Sequence, residues 1–151
     1  ERGDQSEDIE TKAFSAYENG AYYKAINLFN SVVPKDQEYI QFYKGISFLA
    51  LNKNTEAIEL LLPLATKPDD EDAKFQWNAK AHPKQWPINV GLMRGYSAKG
   101  DYKSALKYCK KAQKNVDPED DLNVKSLKKL QTLLEEGQIL LTAYNTYTLN
   151  L

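Results

Sequence analysis

The side chains best suited to catalysis or metal binding are scarce in this sequence. The chain has 151 residues but only one histidine, His82, and one cysteine, Cys109. His82 stands directly before a proline, and no cysteine lies near it in the sequence. Because a structural zinc site takes about four such ligands, we expect no metal site. A single cysteine also allows no intramolecular disulfide.

An acidic run at residues 69–72, Asp-Asp-Glu-Asp, is the second candidate for chemistry. Calcium loops place their oxygen ligands at alternate positions around a central glycine, and this run has neither feature. It follows Pro68 at the start of a predicted helix, where carboxylates complement the helix dipole and accept hydrogen bonds from free amide groups. We therefore interpret the run as a helix start rather than a calcium site.

Three short segments resemble parts of nucleophile motifs. In residues 95–100 the second glycine comes one residue too late for a nucleophile elbow, and no strand is predicted before it. Ser104 and Ser126 each precede a lysine by three residues, at Lys107 and Lys129, a spacing that lysine-rich helices produce by chance. No phosphate loop or dinucleotide fingerprint occurs. The sequence therefore predicts a protein that is not an enzyme and binds no cofactor.

Charge is nearly balanced, with 20 basic and 21 acidic residues and a net charge of −1. Such a chain has no overall attraction to nucleic acid or to an anionic membrane, and we expect neither as a partner. Lys107, Lys110, Lys111 and Lys114 predict a basic helix face, which we interpret as solvated, with contact to an anion as the alternative. The longest apolar run, residues 60–62, is too short to cross a bilayer.

Three segments of the chain share one pattern, which predicts an amphipathic helix, a tight turn and a second helix. Their turns contain Gly20, Asn52 and Gly100, where the first helix has to end in a left-handed conformation. An alanine follows each turn, at the point where the two helices approach most closely. These alanines are Ala25, Ala57 and Ala105. The prolines that end the second helices are Pro34, Pro68 and Pro118.

The segments NGAYYKAINLF and KGDYKSALKYCKKA carry this pattern most clearly, and NKNTEAIELL is a looser copy. With these segments, residues 9–118 resemble three tetratricopeptide repeats, whose period is about 34 residues. The resemblance implies an all-α fold in which helix-turn-helix repeats form a short right-handed superhelix of about seven helices. It also implies that the chain acts by binding another polypeptide.

The spacing of the repeats predicts an insert. Ala25 and Ala57 lie 32 residues apart, but Ala57 and Ala105 lie 48 residues apart. About 14 residues are therefore added to the period, and we place them within an insert at about residues 69–87. We expect the two tryptophans of this insert, Trp77 and Trp86, to be mostly buried.

The segment WPINVGLMRGYSAKGDYKSALKYCKKAQ, residues 86–113, carries a second resemblance. It resembles the C-terminal helical region of an uncharacterised bacterial family of exported proteins, which join it to a β-rich domain that has no counterpart in this sequence. This resemblance favours the bacterial periplasm, or another extracytoplasmic location, over the cytoplasm. It implies no particular chemistry.

The ends of the chain lie outside the repeats. Residues 1–8 are expected to be a flexible N-terminus. Leucines at three-to-five spacing predict an amphipathic helix over 121–141, within a capping segment 119–141 that covers the core face of the last repeat. Residues 142–151 form a tail that alternates apolar and polar side chains, as a strand does, although a frayed helix or disorder fits equally well.

In the tetratricopeptide architecture the first helices of successive repeats line a concave face. Aligning the repeats on their turn alanines predicts a partner-binding groove on this face, aromatic and apolar in its middle. Its residues are Phe14, Tyr17, Tyr39, Phe42, Ile46, Leu49 and Arg94. One subclass of the family clamps the C-terminal carboxylates of chaperones with lysine, asparagine and arginine side chains. Only Arg94 fits that pattern, so we do not expect such a clamp.

Two hypotheses about function remain. In the first, the chain is a non-enzymatic scaffold that binds a peptide or a partner protein in the groove. In the second, it is a structural or homo-oligomerising module whose groove is filled by its own insert, its tail or another copy of the chain. Both are compatible with an apolar groove, because burial stabilises the groove in either case.

Overall fold

Seven α helices make up the described part of the chain, residues 2–33, 37–66 and 85–137 of a computed structural model, and no strand occurs there. In chain order they are α1 (Arg2–Glu18), α2 (Tyr22–Phe29), α3 (Glu38–Ala50), α4 (Asn54–Leu61), α5 (Gln85–Ala98), α6 (Tyr102–Asn115) and α7 (Asp121–Glu135), with a 3-10 turn at Leu64–Thr66. The prediction of an all-α fold with about seven helices is confirmed.

Three short turns join six of these helices into pairs. Gly20, Asn52 and Gly100 each follow a first helix with a positive φ, of 77°, 60° and 82°. Glycine adopts this conformation without steric penalty, and asparagine tolerates it better than most residues do. In the first turn the Ala21 N–H donates to the Ala16 carbonyl at 2.8 Å, and the equivalent bond is 2.9 Å in the other two turns. The left-handed positions predicted from the sequence are confirmed.

The three predicted alanines are fully buried in the paired helices. Ala25, Ala57 and Ala105 are each 0% exposed. The contacts within pairs join α1 to α2, α3 to α4 and α5 to α6. The pairs are joined in turn by contacts of α2 with α3 and of α4 with α5. Each helix thus packs mainly on its neighbours in the chain, as in arrays whose stability comes from nearest-neighbour interfaces.

Buried apolar side chains form two cores. The smaller core lies between α1, α2 and the start of α3, with Phe29 as its largest fully buried side chain. The larger core extends from α3 to α7 and includes Leu61. Tyr17 and Tyr43 are partly buried and pack against both cores. These two tyrosines therefore mark the junction between the first helix pair and the rest of the fold.

The last helix, α7, covers the end of the larger core. Leu127, Leu130 and Leu134 are at most 4% exposed, and α7 packs against α6. Between the two helices the Gln113 side chain donates to Gln131 Oε1 at 2.6 Å. The sequence predicted a helix over 121–141, but α7 ends at Glu135, because Gly137 adopts a φ of 68° and a left-handed residue ends an α helix.

The described start of α5 overlaps the segment predicted as an insert. The helix is described from Gln85, so Trp86 and Pro87, at the end of the insert at about 69–87, are helical. Proline is tolerated in a first turn because the N–H that it lacks has no acceptor within the helix. Trp86 is partly buried and packs against the larger core.

At the N-terminus, α1 begins at Arg2 and includes residues 2–8. None of the described helices has both the length and the apolar character needed to cross a bilayer. Some predictions fall outside the described residues. They concern Pro34, Pro68, residues 69–72, Trp77, His82 and residues 142–151.

Candidate functional site

The candidate site consists of partly buried side chains on the first helix of each pair, that is, on α1, α3 and α5. Phe14 and Tyr17 of α1 meet Tyr43 of α3 edge to face, with ring centroids 5.0 and 5.2 Å apart. Burial raises the pKa of Tyr17, and against this larger effect the positive charge of Arg94 on α5 lowers it. All four side chains are partly buried. We call Phe14, Tyr17, Tyr43 and Arg94 the first-helix surface.

Contacts behind this surface hold α1 and α3 in a fixed register. The Phe14 ring packs edge to face on Phe29 at 5.1 Å and lies parallel to the ring of Tyr39 at 6.2 Å. The Tyr39 hydroxyl donates a hydrogen bond to the carboxylate of Glu10, one turn before Phe14 on α1. Ring pairs of this kind contribute about 0.5–1.5 kcal/mol beyond their buried area. The aromatic side chains therefore hold their positions without a ligand.

Four of the seven predicted groove residues are buried inside the fold. They are Tyr39, Phe42, Ile46 and Leu49, with exposed fractions of 3%, 1%, 6% and 7%. Side chains this deeply buried offer no surface to a partner. Of the two possibilities left open by the sequence, an open groove and a filled one, the burial of these four side chains favours the filled one. Of the predicted set, the structure brings Phe14 and Tyr17 together around the ring of Tyr43, and the charge of Arg94 acts on the pKa of Tyr17.

Two glycines of α5 explain why Ile46 and Leu49 are buried. A Cβ atom at Gly91 would lie 3.4 Å from Ile46 Cδ1 and 3.5 Å from Leu49 Cδ1, and one at Gly95 would lie 3.4 Å from Leu49 Cδ2. Because neither glycine has a side chain, α5 approaches α3 closely and covers these two residues. Aligning repeats on their alanines does not reveal this approach, since the alignment assumes that a groove lies between successive first helices.

Tyr43 is the member of the first-helix surface that the groove prediction lacked. It is the centre of the ring cluster, since it also meets Phe42 edge to face at 5.2 Å, in addition to Phe14 and Tyr17. The available signal was its position one helical turn after Tyr39, which extends an aromatic stripe along α3.

A surface cavity of about 310 Å³ lies between α2, α3 and α4. Its lining residues are Phe29, Asn30, Ile40, Gln41, Lys44 and Leu60. Burial lowers the pKa of Lys44, and the Gln41 amide donates to the Leu60 carbonyl at 2.7 Å. The cavity thus combines an apolar wall with one ammonium group, and its lining contains no carboxylate or imidazole to act as an acid–base partner.

The groups usually used in catalysis are not assembled in the described residues. No set of three or more histidine, cysteine or acidic side chains is placed there to hold a metal ion. Cys109 is fully buried, and burial raises the pKa of its thiol to about 11. That thiol donates to the Leu127 carbonyl at 3.4 Å. Because only a thiolate is a good nucleophile, Cys109 is unreactive at neutral pH in the folded protein.

The burial of Tyr17 predicts a loss of stability at alkaline pH. The pKa of Tyr17 is raised from 10.0 to about 12, mainly by burial and also by Tyr43 and Tyr22, while the positive charge of Arg94 lowers it. The unfolded chain therefore loses this proton first. The stability that Tyr17 contributes is complete below pH 10 and declines as pH rises toward 12.

We expect Tyr17→Phe to lose less stability than wild type between pH 9 and about pH 11, as measured by urea unfolding. Other groups, including Cys109, contribute in the same direction and remain in the variant. Tyr23→Phe is the matched control, because Tyr23 is 61% exposed. If both variants keep the wild-type dependence on pH, Tyr17 is not held as the structure places it.

Neither a protein-family model, nor a curated protein, nor a solved structure matches this chain.

Proposed function

We propose that this chain is a tetratricopeptide-like interaction module that binds a segment of another protein at the first-helix surface and catalyses no reaction. One observation carries the proposal: the rings of Phe14, Tyr17 and Tyr43, from two first helices, form one cluster that stays partly exposed, and the charge of Arg94, on a third first helix, acts on Tyr17. Aromatic and arginine side chains dominate binding at the centres of protein interfaces. The paired helices and their left-handed turns support the repeat assignment.

The arrangement also suggests how a partner segment is bound. An apolar side chain of the partner packs on the rings of Phe14, Tyr17 and Tyr43, which are already held edge to face and lose little freedom on binding. Arg94 pairs with a carboxylate or a backbone carbonyl of the same segment. Arg94 lies on the first helix of the third pair, at one end of the aromatic rings. Its charge therefore gives the bound segment a preferred direction.

A second candidate function is a structural or homo-oligomerising module. The observation that favours it is the burial of Tyr39, Phe42, Ile46 and Leu49, since a groove without accessible apolar side chains has less to offer a partner. In this alternative the rings at the junction of the two cores serve to hold the first helix pair against the second. Sedimentation velocity over a range of concentrations tests the oligomeric form, because a homo-oligomer grows in mass as concentration rises.

The test of the first candidate is a pull-down from the native source with wild type, Tyr43→Ala and Arg94→Glu, each checked for folding by circular dichroism. We expect both variants to lose the same partner, with affinity reduced about 30-fold, because truncating a central interface side chain costs about 2 kcal/mol or more. The matched controls are Tyr23→Ala and Lys24→Glu, both at exposed positions of α2. Retention of the partner by both folded variants, or its loss in the controls as well, contradicts the site.

A further inference from the structure

The outward face of α6 carries a stripe of five lysines. They are Lys103, Lys107, Lys110, Lys111 and Lys114, all of them exposed. At about 100° of rotation and 1.5 Å of rise per residue, they fall within an arc of about 100° and span about 16 Å along the helix. Ala105, Cys109 and Ala112, each 0% exposed, lie on the opposite side of α6. The lysine stripe therefore points directly away from the core, and one surface can contact all five ammonium groups.

Two of these lysines are positioned by an aromatic ring. The Nζ atoms of Lys107 and Lys111 lie 5.5 and 5.3 Å from the ring centroid of Tyr108, within the range of a cation–π contact. Tyr108 itself is 7% exposed, so it holds the lysine stems without forming an aromatic surface of its own.

The lysine stripe has no acid on its own helix, in contrast to the lysines of other helices of the fold. In α1 and α7 lysines pair with acids one turn away, Lys12 with Asp8 at 3.0 Å and Lys125 with Asp121 at 2.9 Å. Helix α6 contains no acidic residue, and within the described residues none of its five lysines forms an ion pair. Like charges one turn apart destabilise a helix. The stripe thus opposes the stability of α6, and an anionic partner would relieve that repulsion.

Acids at both ends of α6 limit the size of this partner. Asp101 stands at the N-terminal cap, and Asp117, Glu119 and Asp120 follow the C-terminal end. An extended polyanion, such as a membrane surface or a duplex, would bring its own charge against these acids. Charges within about 8 Å still interact at physiological salt, so that repulsion would be felt. A segment about as long as the stripe avoids it.

We propose that the lysine stripe binds an acidic segment of another protein, about one short helix in length, with carboxylates spaced three and four residues apart. The stripe repeats at intervals of four, three, one and three residues, so a facing helix with acids at helical spacing meets several lysines at once. Carboxylates suit lysine, which is a compact charge with rotatable donors and needs no planar partner. This surface is separate from the first-helix surface, and the proposal does not depend on that surface binding anything.

The experiment measures fluorescence anisotropy of the full chain with a labelled 16-residue helical peptide that carries glutamates at three- and four-residue spacing on one face. A peptide with glutamine at those positions is the reference. We expect the glutamate peptide to bind about tenfold more tightly at low ionic strength, and the difference to shrink at physiological salt. The triple variant Lys103→Gln, Lys110→Gln and Lys114→Gln should lose about tenfold in affinity, and it leaves both contacts to Tyr108 in place.

The matched control is the triple variant Lys12→Gln, Lys24→Gln and Lys125→Gln, at exposed positions outside α6. It changes the net charge by the same amount, from −1 to −4, and should bind within about twofold of wild type. An equal loss in both triple variants would show that net charge alone governs binding and would overturn the proposal. Vesicles with anionic lipid and a short duplex are also tested, and tighter binding of wild type to either one overturns the choice of a protein partner.

Discussion

Replacing Phe42 with alanine is expected to lower the free energy of unfolding by about 3–5 kcal/mol. The Phe42 ring is 1% exposed, belongs to the larger core and meets Tyr43 edge to face at 5.2 Å. Its truncation removes buried apolar surface and leaves a cavity that the surrounding helices close only in part. Urea unfolding followed by far-ultraviolet circular dichroism measures the loss.

Tyr23→Ala is the control, because it truncates an aromatic side chain that is 61% exposed and should change stability by at most about 0.5 kcal/mol. A loss for Phe42→Ala as small as that of the control would place Phe42 at the surface and would favour an open groove over a filled one. The expected large loss also makes Phe42→Ala unsuitable for testing a partner, since a destabilised chain loses binding for reasons unrelated to contact.

Features that depend on a few neighbouring residues were predictable from the sequence. The left-handed turns at Gly20, Asn52 and Gly100 follow from the conformational freedom of these residue types. The buried alanines follow from their position just after each turn, where two helices meet. These features depend only on the residues around each turn, so they recur wherever the local sequence recurs. The helix pairs could therefore be predicted correctly.

Features that depend on packing between distant segments were not predictable in the same way. The prediction treated Ile46 and Leu49 as groove residues, because it carried one repeat pattern onto all three repeats. Whether they are covered depends on how closely α5 approaches α3, and that distance is set by Gly91 and Gly95, more than 40 residues later. The end of α7 is a different case. Gly137 could have been recognised in the sequence as a helix end, but the prediction followed the leucine spacing and extended the helix to residue 141.

The two proposed surfaces lie in different parts of the fold. The first-helix surface lies where the smaller and larger cores meet, so binding there depends on the contact of α1 with α3. The lysine stripe lies on α6, whose buried side packs on α5 and α7 within the larger core alone. A substitution that loosens the first helix pair should therefore weaken the first surface and leave the second intact, so the two proposals can be tested independently.

Leu61→Ala is expected to lower the free energy of unfolding by about 2–5 kcal/mol. It should also change a second substitution, Gly91→Ala, from destabilising to stabilising. Leu61 is 0% exposed, and its Cδ1 atom would lie 2.8 Å from a Cβ atom at Gly91. In the wild-type chain Gly91→Ala forces Leu61 to move, at a cost of about 1–3 kcal/mol that exceeds the gain of about 0.5–1 kcal/mol from replacing a helical glycine. Without the Leu61 side chain, the added methyl group fills part of the cavity and should stabilise by about 1 kcal/mol.

Urea unfolding of wild type, both single variants and the double variant gives the coupling energy between the two positions, expected within about 0.5–3 kcal/mol. Phe29→Ala provides a matched background, because Phe29 is 2% exposed but belongs to the smaller core. Gly91→Ala should stay destabilising in that background, since Leu61 is still present. If Gly91→Ala is equally destabilising with and without Leu61, then Leu61 does not face Gly91. The close packing of α5 on α4 at this position would then have to be abandoned.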